Sequence, residues 1–346
     1  MIMCTTIAIK SDSGDVFWGR TMDFTFDPFK PSADSKMTTF PANYELNGLH
    51  QSWTTKYPFM GINVNDSLFF NDGINSAGIV GDAQFLEEAS WDSVANLKKR
   101  GLKPIIGEEV VAYVLSNFGS IAEIKEAFKH LGQEKTNYPD WEDADTGIPT
   151  PIPMHYTFSD ASGKSVILEP VNNGAFKIYD GIGVMTNSPE YPWHLDNLRN
   201  YLQLTNHNLG HHQITDQLDI KQIESGSGLL GLPGDYTAPS RFVRGTFISK
   251  FLAPFHSDQG IPQLYNVFKS VMIPRGLEHL QEGEDKCDYS GYWAGYDVSN
   301  RSLYIQPEDC PTMTKFVLDS ETTTKITQPI QHDFKVLETK KQKALA

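Results

Sequence analysis

An alternating run at the start of the chain restricts the possible folds more than any other feature of the sequence. Residues 5–10 and 16–20 are apolar or alternate with polar residues, and the turn sequence Ser11-Asp12-Ser13-Gly14-Asp15 separates them. Two such runs around a glycine-containing turn are typical of a β-hairpin. The chain is therefore predicted to begin with an antiparallel strand pair, and Cys4 lies at the start of its first strand.

Later segments contain further strand pairs and a separate block of helices. Asp160-Ala161-Ser162-Gly163 has good turn chemistry between β-rich runs, and Ser120-Ile121-Ala122-Glu123 is a capping box that predicts a helix start. Because strands follow strands and helices follow helices, the sequence predicts an α+β fold with helices layered on antiparallel sheets. The predicted strand pairs are Met154–Ser159 with 165–171 and 292–298 with 302–305, and the predicted helices are 110–118, 121–131, 194–204 and 262–272.

Length and charge limit the classes of partner. The chain has 346 residues, enough to bury a large core, with a formal net charge of −14 and a pI of about 5.1. Nucleic-acid binding depends on clustered lysine and arginine, so the acidity argues against it. No signal peptide is recognisable, and no stretch approaches the roughly 18 apolar residues of a membrane span. We therefore expect a cytoplasmic protein that has neither a nucleic acid nor a membrane as its partner.

No metal site and no cofactor are predicted. The three cysteines are too scattered for a disulfide framework or for zinc-ligand spacing, which indicates free thiols and a reducing compartment. Walker, GxGxxG, HExxH and GxSxG motifs are absent, and His211-His212 lies in a polar stretch that predicts a loop. Residues 133–153, rich in Pro, Asp and Glu, predict a long surface loop, and residues 338–346 predict a charged, frayed tail.

Cys4 permits two interpretations. A lone cysteine in a first strand is more often a small buried hydrophobe than a catalytic group. The functional alternative requires loss of Met1-Ile2-Met3, either through translation from Met3 with methionine removal or through self-cleavage. The exposed α-amine would titrate near ~7.7–8.0 and the thiol near ~8.5, so the amine could accept the thiol proton without a histidine. Cys4 would then supply both nucleophile and base.

Five other positions are candidate site residues. Arg20, on the returning strand, could favour the thiolate, and Asp23 could hold the amine, although a surface ion pair is the ordinary alternative for both. Asn187 follows a predicted strand and could donate to an oxyanion or simply cap the turn. Arg241 and Arg244 lie among apolar residues, where structural ion pairing competes with a role in the site.

Several motifs, in order along the chain, resemble those of the cholylglycine hydrolases and penicillin V acylases. The resemblance extends from Cys4 to about residue 305 and implies the N-terminal nucleophile (Ntn) hydrolase fold, a four-layer αββα sandwich of two antiparallel sheets between helical layers. The motifs are Cys4 after a tripeptide, Gly19-Arg20-Thr21-Met22-Asp23-Phe24, Asp72-Gly73-Ile74-Asn75, Met154 to Gly163, Gly183 to Pro189 and Leu232 to Arg244.

The resemblance implies a role for each candidate residue. Cys4 is similar to the family's processed nucleophile, Arg20 to the cation beside its sulfur, and Asp23 to the anchor of its α-amine. Asn187 is similar to the oxyanion-hole asparagine, and the backbone N–H of Phe85 is implied as the second donor. Arg241 is similar to the family's arginine, although Arg244 lies close in sequence. The implied reaction is hydrolysis of a small-molecule amide through an acyl-thioester.

The resemblance defines the substrate less narrowly than it defines the reaction. Phe85 stands where bile-salt hydrolases carry Asn and penicillin V acylases carry Tyr, so an aromatic residue there favours phenoxyacetyl amides such as penicillin V. Conjugated bile salts and acyl-homoserine lactones are the alternatives, and a binding protein on a hydrolase scaffold is the non-enzymatic one. We also expect residues 1–3 to be removed, residues 4–337 to form a single domain, and the protein to be a homotetramer.

Overall fold

Two large β-sheets lie face to face at the centre of the protein. The computed structural model describes residues 3–29, 34–137, 150–283 and 285–332. The seven-stranded sheet has the order β14-β1-β2-β18-β19-β20, and β17 pairs with β18. Its strands are β1 Met3–Lys10, β2 Val16–Phe24, β14 Val184–Met185, β17 Glu278–His279, β18 Cys287–Asp297, β19 Ser302–Pro307 and β20 Thr314–Val317.

The second sheet has ten strands in the described part of the chain, in the order β21-β3-β6-β7-β8-β11-β12-β13-β10-β9. They are β3 Lys36–Phe40, β6 Phe59–Asn63, β7 Phe70–Asn75, β8 Val80–Phe85, β9 Lys103–Ile105, β10 Leu131–Gln133, β11 Met154–Ser159, β12 Ser165–Asn172, β13 Ala175–Gly181 and β21 Ile326–Pro329. Two small hairpins join β4 Glu45–Asn47 to β5 Ser52–Thr54 and β15 His211–Thr215 to β16 Leu218–Lys221.

Helices cover the outer faces of both sheets. Helices α2 and α3 pack on the ten-stranded sheet, and α5 and α6 pack on the seven-stranded sheet. A third apolar cluster fills the space between the sheets. The predicted four-layer αββα sandwich is therefore confirmed. The helices are α1 Val94–Lys99, α2 Val110–Asn117, α3 Ile121–Phe128, α4 Tyr191–Asn197, α5 Ala238–Lys250 and α6 Gly260–Phe268, with 3-10 turns at Gly107–Glu109, Leu198–Tyr201, Ser227–Leu229 and Ser257–Gln259.

The first hairpin forms as predicted, and its register decides which side chains enter the molecule. Cys4 is opposite Met22 in the antiparallel β1–β2 pair. Both residues belong to the cluster between the sheets, whereas Ile7 and Phe17 belong to the cluster under α5 and α6. Because side chains alternate along a strand, Arg20 shares the inner face with Met22. The first hairpin thus brings sulfur and guanidinium into the space between the sheets.

The other predicted elements are mostly present, with shifted ends. The strand pairs β11–β12 and β18–β19 are antiparallel as expected, and the Ser120 hydroxyl accepts from the Glu123 N–H at the start of α3. Helix α4 begins at residue 191 and continues into a 3-10 turn that ends at residue 201, so the prediction of a helix over 194–204 was displaced. Helix α6 likewise covers 260–268 instead of 262–272.

Three features differ from the predictions. Strands β9 and β10 pair in parallel at the edge of the second sheet. The prediction of a loop at His211-His212 was wrong, since these residues form β15. Helix α5 was not predicted, because its two buried arginines interrupt the apolar pattern. Residues 1–2, the segment 138–149 of the predicted surface loop, and the tail 338–346 lie outside the described residues.

Candidate active site

Cys4 lies buried near the start of β1, between β2 and β14, with 1% of its surface exposed. Arg20 Nη2 donates to Cys4 Sγ over 2.9 Å. The backbone N–H of Cys4 donates to Asn187 Oδ1 over 2.8 Å. In this structure Met3 is still joined to Cys4, so that nitrogen belongs to a peptide bond. Two of the predicted site residues therefore contact the two groups that would react.

Arg20 is held by buried oxygen atoms from the opposite sheet. Its Nη1 donates to the carbonyl oxygens of Asn71 (2.6 Å) and Ala83 (3.1 Å). The Asp72 and Asp82 carboxylates lie 3.8 Å and 3.5 Å from the guanidinium, and all three side chains are completely buried. Because a buried charge must be paired and hydrogen-bonded, these partners are what keep a cation beside the sulfur.

The carboxylates of Asp72 and Asp82, which were not recognised as site residues from the sequence, accept further hydrogen bonds. Tyr292 and Tyr296 donate to Asp72, and Thr6 donates to Asp82 over 2.7 Å. Burial raises the pKa of both carboxyl groups, while Arg20 and these hydrogen bonds lower it. Asp72 alternates with buried Ile74 on β7, and Asp82 alternates with buried Val80 on β8. An acidic residue within an apolar strand face was the signal that could have identified them.

Burial has the largest effect on the pKa of the Cys4 thiol. Removal from water raises the pKa of Cys4 to about 11 in the chain that retains Met3, and Arg20 opposes this shift. Removal from water disfavours the charged form of any acid. The arginine therefore offsets part of a larger desolvation effect.

Arg241, not Arg244, is the arginine that reaches this site. Arg241 Nη1 donates to the Cys4 carbonyl over 2.5 Å, and its Nη2 donates to Asn187 Oδ1 over 2.9 Å. Arg244 instead donates to the carbonyl oxygens of Pro233 and Ser270, each over 2.8 Å. Of the two arginines between which the sequence left the choice open, Arg241 contacts Cys4, whereas Arg244 contacts carbonyl groups away from Cys4.

Asn187 joins Cys4 to the end of β8. Its Nδ2 donates to the Phe85 carbonyl over 2.8 Å, while its Oδ1 accepts from Cys4 and Arg241. The predicted oxyanion residues Asn187 and Phe85 are therefore adjacent, and both lie within one hydrogen-bonded group around Cys4.

Asp23 lies beside Cys4 without bonding to its nitrogen in this structure. Its carboxylate accepts from Ser290 Oγ (2.5 Å) and Thr21 Oγ1 (3.1 Å). Burial raises the pKa of Asp23, and the charge of Arg241 opposes that shift. In the strand register Asp23 is opposite Met3, the residue that precedes Cys4. Asp23 thus flanks the peptide bond between Met3 and Cys4.

Cys4, Cys287 and Cys310 are all buried. Across the described ranges, no three side chains of the metal-ligand type come together. No helix among the described residues is long and apolar enough to span a bilayer.

Comparison with known families decides the class of the protein. The family model for linear amide C-N hydrolases, choloylglycine hydrolase family, matches residues 4–331. The chain belongs to the choloylglycine hydrolase family. It is an amidase that acts on linear amides, and the matched region begins at Cys4. The predictions of family and enzyme class are confirmed.

Two relatives of this chain match it over most of their length. It is 28% identical to a bile salt hydrolase/transferase of Clostridium perfringens over 298 residues, covering 84% of each chain. It is 28% identical to a conjugated bile acid hydrolase of Lactobacillus acidophilus over 326 residues, covering 92% of this chain and 97% of the relative.

Two solved structures share the fold of this chain. A mutant conjugated bile acid hydrolase from Clostridium perfringens superposes with a TM-score of 0.82 at 23% identity, covering 97% of this chain and all of the other. Penicillin V acylase from Agrobacterium tumefaciens superposes with a TM-score of 0.72 at 20% identity, covering 94% of this chain and 91% of the other. Both of these structures therefore have the architecture described above.

Proposed function

We propose that this amidase uses Cys4 as an N-terminal nucleophile after loss of residues 1–3 and carries the acyl group as a thioester. One observation supports the proposal above all others. Arg20 Nη2 and Asn187 Oδ1 lie 2.9 Å and 2.8 Å from the sulfur and the nitrogen of the same buried cysteine. A cation beside the sulfur favours thiolate, and a fixed nitrogen suits a base that acts on its own side chain.

In the proposed reaction the Cys4 α-amine accepts the thiol proton while the sulfur forms a bond to the amide carbonyl carbon. The oxyanion accepts from Asn187 Nδ2, which has a second hydrogen besides the one given to Phe85, and from the Phe85 N–H. The C–N bond then breaks, and the α-ammonium returns its proton to the leaving amine. Water attacks the thioester, so the carboxylic acid leaves and the thiol is restored. Each oxyanion donor contributes on the order of 3 kcal/mol.

Asp23 and Arg241 are proposed to hold the α-amine and the carbonyl group of Cys4, respectively. Asp23 is opposite Met3 in the register, so loss of residues 1–3 would leave the new α-amine next to a buried carboxyl group. Arg241 fixes the Cys4 carbonyl and the oxygen of the Asn187 amide. With both ends held, the α-amine can remain within reach of its own thiol.

For the acyl group we propose phenoxyacetyl-type aryl amides, as in penicillin V. Phe24 and Phe85 are partly exposed and pack on the same apolar cluster as Cys4. The ring of Phe24 stacks on Phe26 at 4.6 Å, and 38% of the Phe26 surface is exposed. Aromatic rings prefer stacked or edge-to-face aromatic neighbours, so this side of Cys4 suits an aryl ring.

A conjugated bile salt is the second candidate substrate. It is favoured by the two relatives at 28% identity, which carry the names bile salt hydrolase/transferase and conjugated bile acid hydrolase. Steady-state kcat/KM for penicillin V, glycocholate and an acyl-homoserine lactone separates the candidates. We expect the highest value for penicillin V, and a higher value for glycocholate would reverse the ranking.

The nucleophile is tested separately from the substrate. We expect Cys4→Ser to lose nearly all turnover, because a hydroxyl is a much weaker nucleophile beside an amine. Cys287→Ser, at another buried free cysteine, serves as the matched control. The intact mass of protein from its own source should correspond to a chain that begins at Cys4. A retained Met1-Ile2-Met3 together with absent turnover would instead indicate a binding protein.

We further propose a homotetramer of single-domain chains in the cytoplasm. Three cysteines that are too scattered in sequence for a disulfide framework are typical of a reducing compartment. The β15–β16 hairpin pairs only with itself in the described structure, and every residue of both strands is exposed. Ile214, Leu218 and Ile220 are 51%, 49% and 49% exposed. Apolar side chains of this kind on an isolated hairpin are suited to contact another copy of the chain.

A further inference from the structure

The backbone of Asn187 has a buried partner of its own. His194 Nε2 lies 2.9 Å from the Asn187 carbonyl oxygen, and both residues are buried. A carbonyl oxygen can only accept, so the imidazole nitrogen that faces it carries the proton. Asn187 is thus restrained twice, through its side chain by Cys4 and Arg241 and through its backbone by His194.

The His194 ring is fixed by the surrounding helices. It stacks on Phe242 of α5, with the ring centroids 4.7 Å apart and the planes at 20°. Phe242 directly follows Arg241, which also bonds to Asn187. Helix α5 therefore carries both the arginine that holds the Asn187 side chain and, at the next position, the ring that stacks on His194.

Helix α4, which carries His194, is anchored at its first residue by a buried carboxylate. The Tyr191 N–H donates to Glu169 Oε1 over 2.9 Å, and His155 Nδ1 lies 3.1 Å from the same oxygen. Glu169 and His155 are almost completely buried. A carboxylate at a helix N-terminus is favourable because it meets the unpaired N–H groups there. This anchor fixes the position from which His194 reaches the Asn187 carbonyl.

We propose that His194 is a positioning residue for amide hydrolysis, because its hydrogen bond to the Asn187 carbonyl sets where the Asn187 side chain meets the developing oxyanion. The inference rests on the proposed function, in which Asn187 is an oxyanion donor. His194 itself touches neither substrate nor sulfur in this role. Its effect is on alignment, to which transition-state contacts are more sensitive than ground-state binding.

The test compares His194→Leu with His194→Gln, whose side-chain amide can still donate to the carbonyl. We expect His194→Leu to lower kcat on the best substrate by roughly tenfold or more, less than the ~100-fold or greater loss that follows removal of an oxyanion donor. KM should change by less than about twofold, because the lost alignment acts in the transition state. His194→Gln should recover most of kcat. His207→Leu, at an exposed histidine, is the matched control.

A double-mutant cycle with Asn187→Ala separates positioning from general damage to the fold. If His194 acts through Asn187, His194→Leu has little further effect on kcat when Asn187 is already alanine. Multiplicative losses in the double variant, or equal losses of kcat in the Leu and Gln variants at unchanged melting temperature, would overturn the proposal. Undiminished turnover in Cys4→Ala would refute the proposed function instead, so the two failures are distinguishable.

Discussion

At the scale of single residues, Arg20 determines the charge balance between the sheets. It is a completely buried cation within 4 Å of both Asp72 and Asp82, and it also donates to the Cys4 sulfur. Such groups are costly to bury and costly to separate, because each partner left behind is an uncompensated charge. The residue that would activate the nucleophile is therefore also needed to keep the two sheets together.

We expect Arg20→Met to destabilise the fold by about 3–5 kcal/mol, since it leaves two carboxylates unpaired in the interior. Urea unfolding at pH 7 measures this change. Arg275→Met is the matched control, because Arg275 and its partner Glu308 are partly exposed and 2.8 Å apart. An exposed pair of this kind contributes about 0–1 kcal/mol. Similar losses in the two variants would contradict the role given to Arg20.

At the scale of elements, helix α3 depends on its N-cap residue, Ser120. Ser120 accepts from the Glu123 N–H, and Glu123 Oε2 accepts from the Gly119 N–H over 2.8 Å. Ser120→Ala should lower the free energy of unfolding by about 1 kcal/mol, whereas Ser120→Asp should keep it, because Asp is also a good N-cap. Equal destabilisation by Ala and Asp in urea titrations would show that the cap does not matter.

Glu108, in the 3-10 turn before α2, predicts a pH dependence of stability. Burial raises the pKa of Glu108 to about 7, above the ordinary glutamate value of about 4.5. The folded state therefore holds the proton more tightly, and the stabilisation is complete below about 4.5 and lost as the pH rises through 7. Glu108→Gln, which stays neutral, should gain stability over wild type by roughly 2–3 kcal/mol between pH 4.5 and pH 8.

Urea unfolding of Glu108→Gln and wild type at pH 4.5 and pH 8 measures this change. The same measurement on Glu224→Gln, at an exposed site, controls for the loss of one negative charge from an acidic protein. A difference between Glu108→Gln and wild type that stays constant from pH 4.5 to pH 8 would show that Glu108 ionises normally in the folded state.

The elements also show where sequence reasoning succeeds and where it fails. The hairpin that begins at Cys4 was predictable because alternation and turn chemistry are local properties. Helix α5 was not, since the arginines at 241 and 244 are buried through contacts with distant carbonyl groups. Asp72 and Asp82 were missed as site residues for the same reason, because only the packing of one sheet on the other places them beside Arg20.

At the scale of the whole molecule, four layers place Cys4, the proposed nucleophile, where two buried networks meet. Cys4 Sγ faces the space between the sheets, while Thr5 and Asp23 lie on the opposite face of the same strands, toward Arg241. On β1, the Cys4 sulfur therefore contacts Arg20 between the sheets, and the Cys4 carbonyl contacts Arg241 on the other face. The sequence resemblance could identify the candidate residues. It could not show that the Cys4 side chain and Asp23 lie on opposite faces of the sheet, because that depends on strand alternation in the folded protein.

The β15–β16 hairpin provides the last prediction, which concerns assembly. If it contacts another copy of the chain, the double change Ile214→Lys and Ile220→Lys should shift the sedimentation coefficient toward that of a monomer, because each new charge would be buried unpaired at the interface. Leu49→Lys is the matched control, since Leu49 is 58% exposed outside the hairpin. A tetramer that survives the double change, with secondary structure unaltered by circular dichroism, would place the subunit contact elsewhere on the molecule.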